Sequence, residues 1–485
     1  MRNLFILIVT LFVCSTAFPQ QKDSLLFKRS SLYTFIITSE KDSIELSQRI
    51  VNSNVLTGSS GYDSESDIPR ISIMIEEFKN IPLPVQYNDH NLECRVIRYE
   101  DYPVTKKDID ANGGNKGKGK RAFGKFLKEA SNIAVGTSFN TDQKTTSEMR
   151  NELRAIYNKY FNTKGVGAQL IGKWYGYNNG KYDETFTLMK ERGLQNASAS
   201  TKQQAINSAR RESNIQEQGE ELVGNTFVMG IHLKYQDKEQ IMADIQSGLD
   251  AAAGVASAFG VSTDMSVIAS QALGAMGSLA MGSGYYVTAV SHLYQLEWNE
   301  EKEYDFYANY WDKPIDELIA SGICTLKYIG SDKASTGIRA GRFSKQSKNS
   351  LVRRATARAI DEVIAKLQKE YDVFKTKTTI KEVDKKEGVL YAEIGMKEGI
   401  SAGDAYIVLQ PIFNEETMEV IGYDEVGKVK AVKNQIWDNR FDAEIERTED
   451  QENGEKVGEA LTKTAFKGKV KEEWVGCVLK LDKKK

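Results

Sequence analysis

The chain has 485 residues, of which 27% are charged, with 65 Lys and Arg against 67 Asp and Glu for a formal net charge of -2. That balance excludes a dedicated nucleic-acid binder, which would carry a basic surplus. The length exceeds one ordinary hydrophobic core, so two or three domains are expected, and 40% apolar residues suffice to build them.

The sequence opens Met1-Arg2-Asn3, runs apolar from Leu4 to Val13 and leaves through Cys14-Ser15-Thr16-Ala17. A basic start, a short apolar stretch and a small-residue exit predict a signal peptide over residues 1–20. The apolar run is too short for a lasting membrane anchor. Cys14 follows Val13, where a lipid-attachment site takes Gly, Ala or Ser, so it is read as part of the removed peptide rather than as a lipid anchor. Cys94, Cys324 and Cys477 remain. They are far apart, show no CxxC spacing and are read as small buried hydrophobes.

Leu32–Thr38, rich in β-branched and aromatic residues, predicts a strand, as does the alternation over Leu92–Tyr99. Lys106–Lys120 is Gly- and Lys-rich and reads as a mobile loop. Ser147–Phe161 is a helix with Leu153, Ile156, Tyr157, Tyr160 and Phe161 on one face. Short strands are expected at Ala168–Tyr175 and Thr185–Met189. A longer strand is expected at Thr226–Tyr235, where Phe227, Met229, Ile231, Leu233 and Tyr235 point one way.

Between Ala251 and Gly284 the composition is almost entirely small and apolar. It predicts a helical hairpin inserted at 240–284, ahead of a strand over Tyr286–Trp298. Ser270, Gly274, Ser278 and Gly282 recur every fourth residue, a stripe along which two helices approach closely. With Leu273 and Leu279 beside it, the stripe is a candidate contact surface, either buried against a partner or in contact with a membrane.

Cys324–Ile329 reads as a short strand. Lys333–Ile360 then holds eight basic residues and no acid. Lys333 is the first, and Arg339, Arg342, Lys345, Lys348, Arg353, Arg354 and Arg358 form a candidate anion-binding set, or else a solvated linker. A long amphipathic helix follows from Leu351 to about Phe374, with Ile360, Val363, Ile364, Leu367 and Tyr371 inward. Beyond it, Val389–Ile394, Ala405–Gln410, Val420–Val432, Ile436–Glu446 and Val475–Leu481 predict five short strands and a small, strongly bent barrel.

No catalytic constellation emerges. Gly114–Arg121 approaches a phosphate-binding loop, but Arg121 stands where Ser or Thr would hold magnesium and no apolar strand leads in. His90, His232 and His292 have no metal-ligand spacing. His232 and His292 lie in strands on either side of the hairpin, which allows them to meet in space, and are read as structural histidines rather than ligands. There is no G-x-S-x-G. A carboxylate pair serving hydrolysis of envelope polysaccharide depends on spatial spacing, which the sequence leaves open.

Gly395-x-x-x-Gly399-Ile400-x-x-Gly403-Asp404-x-Tyr406-x-Val408 is similar to the signature of a small SH3-like barrel. Asn414–Gly422 resembles that barrel's hairpin, and Val426–Val432 its next strand. Such barrels occur at the C-terminus of flagellar assembly protein T and beside curli-secretion-type envelope domains. Phe227–Tyr235 and Arg353–Leu367 resemble a strand and a helix of the latter's α/β domain. The chain as a whole resembles a family of exported Gram-negative envelope proteins.

The resemblance implies an assembly, scaffolding or binding role, in the periplasm or at the outer membrane. Expected partners are other envelope proteins or further copies of the chain, with peripheral membrane contact; no nucleic acid, nucleotide, metal or cofactor is expected. The alternatives are a membrane-inserting component of an envelope assembly or secretion complex, and a polysaccharide hydrolase. The expected fold is α+β. A composite α/β region over 21–345 carries the hairpin insertion, a linking helix spans 346–375, and an SH3-like β-barrel occupies 376–485.

Overall fold

The computed structural model describes residues 31–38, 95–98, 101–112, 146–196, 219–220, 222–237, 283–340, 348–413, 420–452, 454 and 457–482. The signal-peptide segment, His90, Cys94, the Gly114–Arg121 loop, Arg342, Lys345 and the small-residue stripe lie outside these residues. The expected hairpin boundary at 284 shifts, because Ser283 and Gly284 already belong to a strand.

The fold is mixed α+β, built on two sheets. The first has five strands: β1 (Ser31–Thr38), β2 (Arg95–Arg98), β3 (Thr226–Asp237), β4 (Ser283–Glu297) and β5 (Thr325–Ala340). Their order is β2-β1-β3-β4-β5. β1 runs parallel to β2 and β3, whereas β3–β4 and β4–β5 are antiparallel. β1 reads as a continuous apolar run because both faces are covered. Tyr33, Phe35 and Ile37 enter one core, Leu32 and Ile36 the other. β5 is far longer than the short strand expected, and a bulge sets Leu293 opposite Gly330 but Tyr294 opposite Tyr328.

On one face lie α2 (Thr146–Lys164), α3 (Val166–Trp174) and α4 (Thr187–Asn196). The expected inward face of α2 is buried throughout. Tyr157 lies flat against the sheet at Gly230, where a Cβ would collide with its ring. The strands expected at Ala168–Tyr175 and Thr185–Met189 are helices instead. Gly165, at φ 59°, breaks the chain after α2. Val166, Leu170, Ile171 and Trp174 then fall on one helical face. Asp183 accepts hydrogen bonds from the amides of Thr185 (2.9 Å) and Thr187 (3.0 Å), which starts α4 and holds the carboxyl well below its ordinary range. The expected loop at Lys106 also contains a helix, α1 (Lys106–Ala111), capped reciprocally by Thr105 and Asp108.

Two short helices, α5 (Glu300–Asn309) and α6 (Ile315–Ser321), connect β4 to β5. The helix expected as a link, α7 (Lys348–Glu370), instead covers the sheet's second face. Ala355, Ala359, Ile360, Val363, Ile364 and Leu367 pack onto Phe227, Met229, Ile231, Leu233, Val287 and Leu293. The alternation read in β3 is therefore the α7 face.

The second sheet has seven strands. In chain order these are β6 (Lys377–Thr379), β7 (Glu382–Asp384), β8 (Val389–Ala392), β9 (Ala405–Phe413), β10 (Val420–Ala431), β11 (Thr464–Gly468) and β12 (Val478–Leu481). They are arranged β6-β12-β9-β10-β11-β8-β7, with every pairing antiparallel. β6 and β7 are opposite edges, yet only Ile380 and Lys381 join them. The Ile380 amide donates to Cys477 (2.9 Å) and the Lys381 amide to Tyr391 (3.0 Å). Two residues reach only about 7 Å, so the sheet must curl until its edges nearly meet. Leu390, Tyr406, Val408, Val429, Phe466, Trp474 and Leu479 fill the interior.

The strand expected at Ile436–Glu446 is absent. An extended segment leads through Asp442, at φ 56°, into α8 (Ala443–Glu452). Glu444 and Glu446 in its first turn complement the helix dipole.

Candidate functional site

The basic run does not form one solvated surface. Lys333 and Arg339 belong to β5, and Lys348 and Arg353 to the first turns of α7. Arg354 and Arg358 are buried, with exposures of 3% and 8%. Arg354 pairs with Asp442 (3.4 Å) and Glu449 (3.6 Å). Arg358 donates to Glu446 (2.7 Å) and, through Nε and Nη2, to the Phe441 carbonyl (3.3 and 3.2 Å). Burial raises the Glu446 carboxyl, but Arg358, Arg440 and Arg354 together outweigh it and hold the group low. Two residues of the expected anion-binding set are thus occupied by carboxylates of this chain.

One turn on, Asp361 shares that face and meets the Gly395–Gly399 turn. It is 5% exposed, with Lys397 Nζ at 3.8 Å from Oδ1. Oδ2 has no hydrogen-bond partner. Burial pushes its pKa up to about 7; Glu398 adds to the rise, while Lys397, Arg358 and Arg440 oppose it. Glu398 is buried and raised as well, although it accepts from the Gly395 amide (2.6 Å) and Asn439 Nδ2 (2.8 Å). Lys369 pairs with Asp404 at 3.1 Å. The Gly-Asp signature of the turn therefore does two jobs: it shapes the entry to β9 and clasps α7. The sequence hinted at this clasp only through the helical spacing of Arg354, Arg358 and Asp361.

On the opposite face, His232 and His292 do come together. His292 lies opposite Gly230 and His232 opposite Val290, which sets the two on one surface in diagonal register. His292 Nε2 lies 2.8 Å from the Arg150 carbonyl, and the ring stands 5.5 Å from Tyr157 and 6.2 Å from Tyr328. Burial, with the charges of Arg150, Arg154 and His232, lowers its pKa to about 3, against a backbone hydrogen bond at Arg150 that opposes the shift. A neutral imidazole wedged between aromatic rings is a packing element. Among the described residues no group of three or more His, Cys, Asp or Glu side chains is placed to hold a metal. No helix among them is long and apolar enough to cross a membrane. Cys477 is buried in the curled sheet's core, and Cys324 is partly buried.

The first sheet runs out to the ends of β3 and β4 that flank residues 238–282. On the α7 face, Leu233, Val287 and Ala334 pack into the core. The ladder continues past them, with Asp237 opposite Tyr285 and Ser283 opposite Ala340. Residues 238–282 join its β3 and β4 edges. Compared with known proteins, the chain matches no family model and no curated sequence.

Proposed function

We propose that the chain is a non-enzymatic, exported cell-envelope protein with an assembly, scaffolding or binding role. Its working element is the small-residue segment 238–282, and its curled C-terminal sheet is an SH3-like barrel that braces α7. What supports this reading is that residues 238–282 join the paired ends of β3 and β4, where Asp237 lies opposite Tyr285. The composition of that segment, with Ser270, Gly274, Ser278 and Gly282 in register, suits close packing against another surface.

The test is fractionation of cells making the intact chain or a version lacking residues 251–282. The intact chain is expected to sediment with envelopes and to be released by alkaline carbonate. The deletion, with an unchanged unfolding transition, is expected to leave the envelope fraction. Retention of the intact chain through carbonate, with loss of the deletion, would instead assign a membrane-inserting component. Recovery of both from the cytosol would overturn the reading.

A further inference from the structure

Arg150 and Arg154 stand four residues apart on α2, one turn after the other on the same side of the helix. That part of α2 is fixed over β4 and β5. His292 Nε2 lies 2.8 Å from the Arg150 carbonyl, and the Tyr294 hydroxyl donates to the Arg154 carbonyl at 3.5 Å. The Arg154 guanidinium carbon stands 3.8 Å over the Tyr328 ring.

Two like charges at this spacing repel, and nothing in the surrounding fold answers them. Both side chains are partly exposed, yet each Nε is buried without a hydrogen-bond partner. Among the described residues neither guanidinium forms an ion pair. His292, fully buried beneath them, cannot supply the missing charge. A carbonyl only accepts, so Nε2 carries the proton and the imidazole is neutral, while Nδ1 has no partner. The charges that act on His292 are those of Arg150, Arg154 and His232, and all of them oppose its protonation. The acids adjacent in sequence face elsewhere. Glu152, two residues from each arginine, falls on the other side of α2 at 3.6 residues per turn. Asp332, opposite Ser291, lies on the α7 face of the sheet, whereas Ser331 pairs with His292.

Buried polar atoms left open in a native fold call for a water or an ion. The double positive charge selects an anion. A guanidinium offers its donors as a planar fork that matches oxyanions.

We propose that the Arg150–Arg154 pair binds a small phosphate-type oxyanion on α2, above β4 and β5.

The test is calorimetric titration of the full chain with inorganic phosphate and with sulfate, against chloride at equal ionic strength. Phosphate and sulfate are expected to bind at one site, and chloride is expected not to. Arg150→Gln and Arg154→Gln should each weaken phosphate by about tenfold or more. Lys159→Gln, an exposed position on the opposite side of the same helix, should bind as the parent does. If Arg154→Gln fails to fold once Tyr328 loses its cation, Arg150→Gln and Lys159→Gln decide. Glycerol phosphate bound alongside inorganic phosphate would assign the site to the phosphate end of a larger molecule; inorganic phosphate bound alone would assign it to the free ion. No phosphate binding, chloride binding equal to phosphate, or equal losses in Arg150→Gln and Lys159→Gln would overturn the proposal.

Discussion

Arg354 and Arg192 are both buried to within a few per cent, on opposite sides of the same five-stranded sheet, but their surroundings differ. Arg354 meets two carboxylates, Asp442 and Glu449, delivered by the entry to α8. Arg192 meets two hydroxyls and an indole. The first arrangement answers charge with charge inside the chain and joins α7 to α8, although Arg354 Nη2 has no partner of its own. The second leaves a cation under-satisfied, with Arg192 Nε without a partner. Burial alone therefore does not mark a functional charge; the identity of its partners does.

The largest expected effect comes from breaking the matched side. Arg354→Met would strand Asp442 and Glu449 in a poorly hydrated contact. Removing one partner of a buried pair costs about 3 kcal/mol, so urea unfolding should show a loss of that size. A change under 1 kcal/mol would mean that the clasp contributes little to holding α7 against the curled sheet.

Titration sharpens the contrast, because the two faces carry pH dependences of opposite sign. Asp361 has its pKa raised from 3.8 to about 7, so the folded chain binds the extra proton in that window. Its contribution is full below about pH 4 and is lost as pH rises towards 7. His292 has its pKa lowered from 6.5 to about 3, so its contribution is present above pH 6.5 and is lost as pH falls. Asp361→Asn should therefore gain stability at pH 8 and remove the decline between pH 4 and 7. His292→Gln should remove the opposing rise in stability over the same window, up to about pH 6.5. Stability measured from pH 4 to 8 checks both, and unchanged slopes in either variant would contradict the assignment for that face.

How much of this was legible in the sequence depended on where the deciding contacts come from. β1, β3, β4 and α2 were readable because their own apolar patterns match the faces they bury. α3 was misread because Gly167 and Gly172 dilute a short helical stripe until it also reads as alternation. α8 was misread because Phe441, Ala443 and Ile445 alternate, while the contacts that fix the segment come from Arg354 and Arg358 on a distant helix. The clasp was half visible: the basic run stood out, but its carboxylate partners lie some 90 residues downstream. Asp361 looked like an ordinary polar position until Lys397 and Glu398 closed over it. Arg192 gave no signal at all, since its setting arises only when α4 docks against Trp174 and the start of β1.

The smallest expected effect tests the comparison most directly. Arg192→Met removes a buried cation without stranding any carboxylate, and replacing poorly paired buried charge by apolar volume is often neutral or favourable. Urea unfolding of this variant beside Arg354→Met, in the same buffer, is the decisive measurement. A change for Arg192→Met within about 1 kcal/mol of the parent, or a gain, is what an under-satisfied cation predicts. A loss as large as that of Arg354→Met would show that Arg192 is a structural charge satisfied within the fold, and the distinction between the two faces would fail.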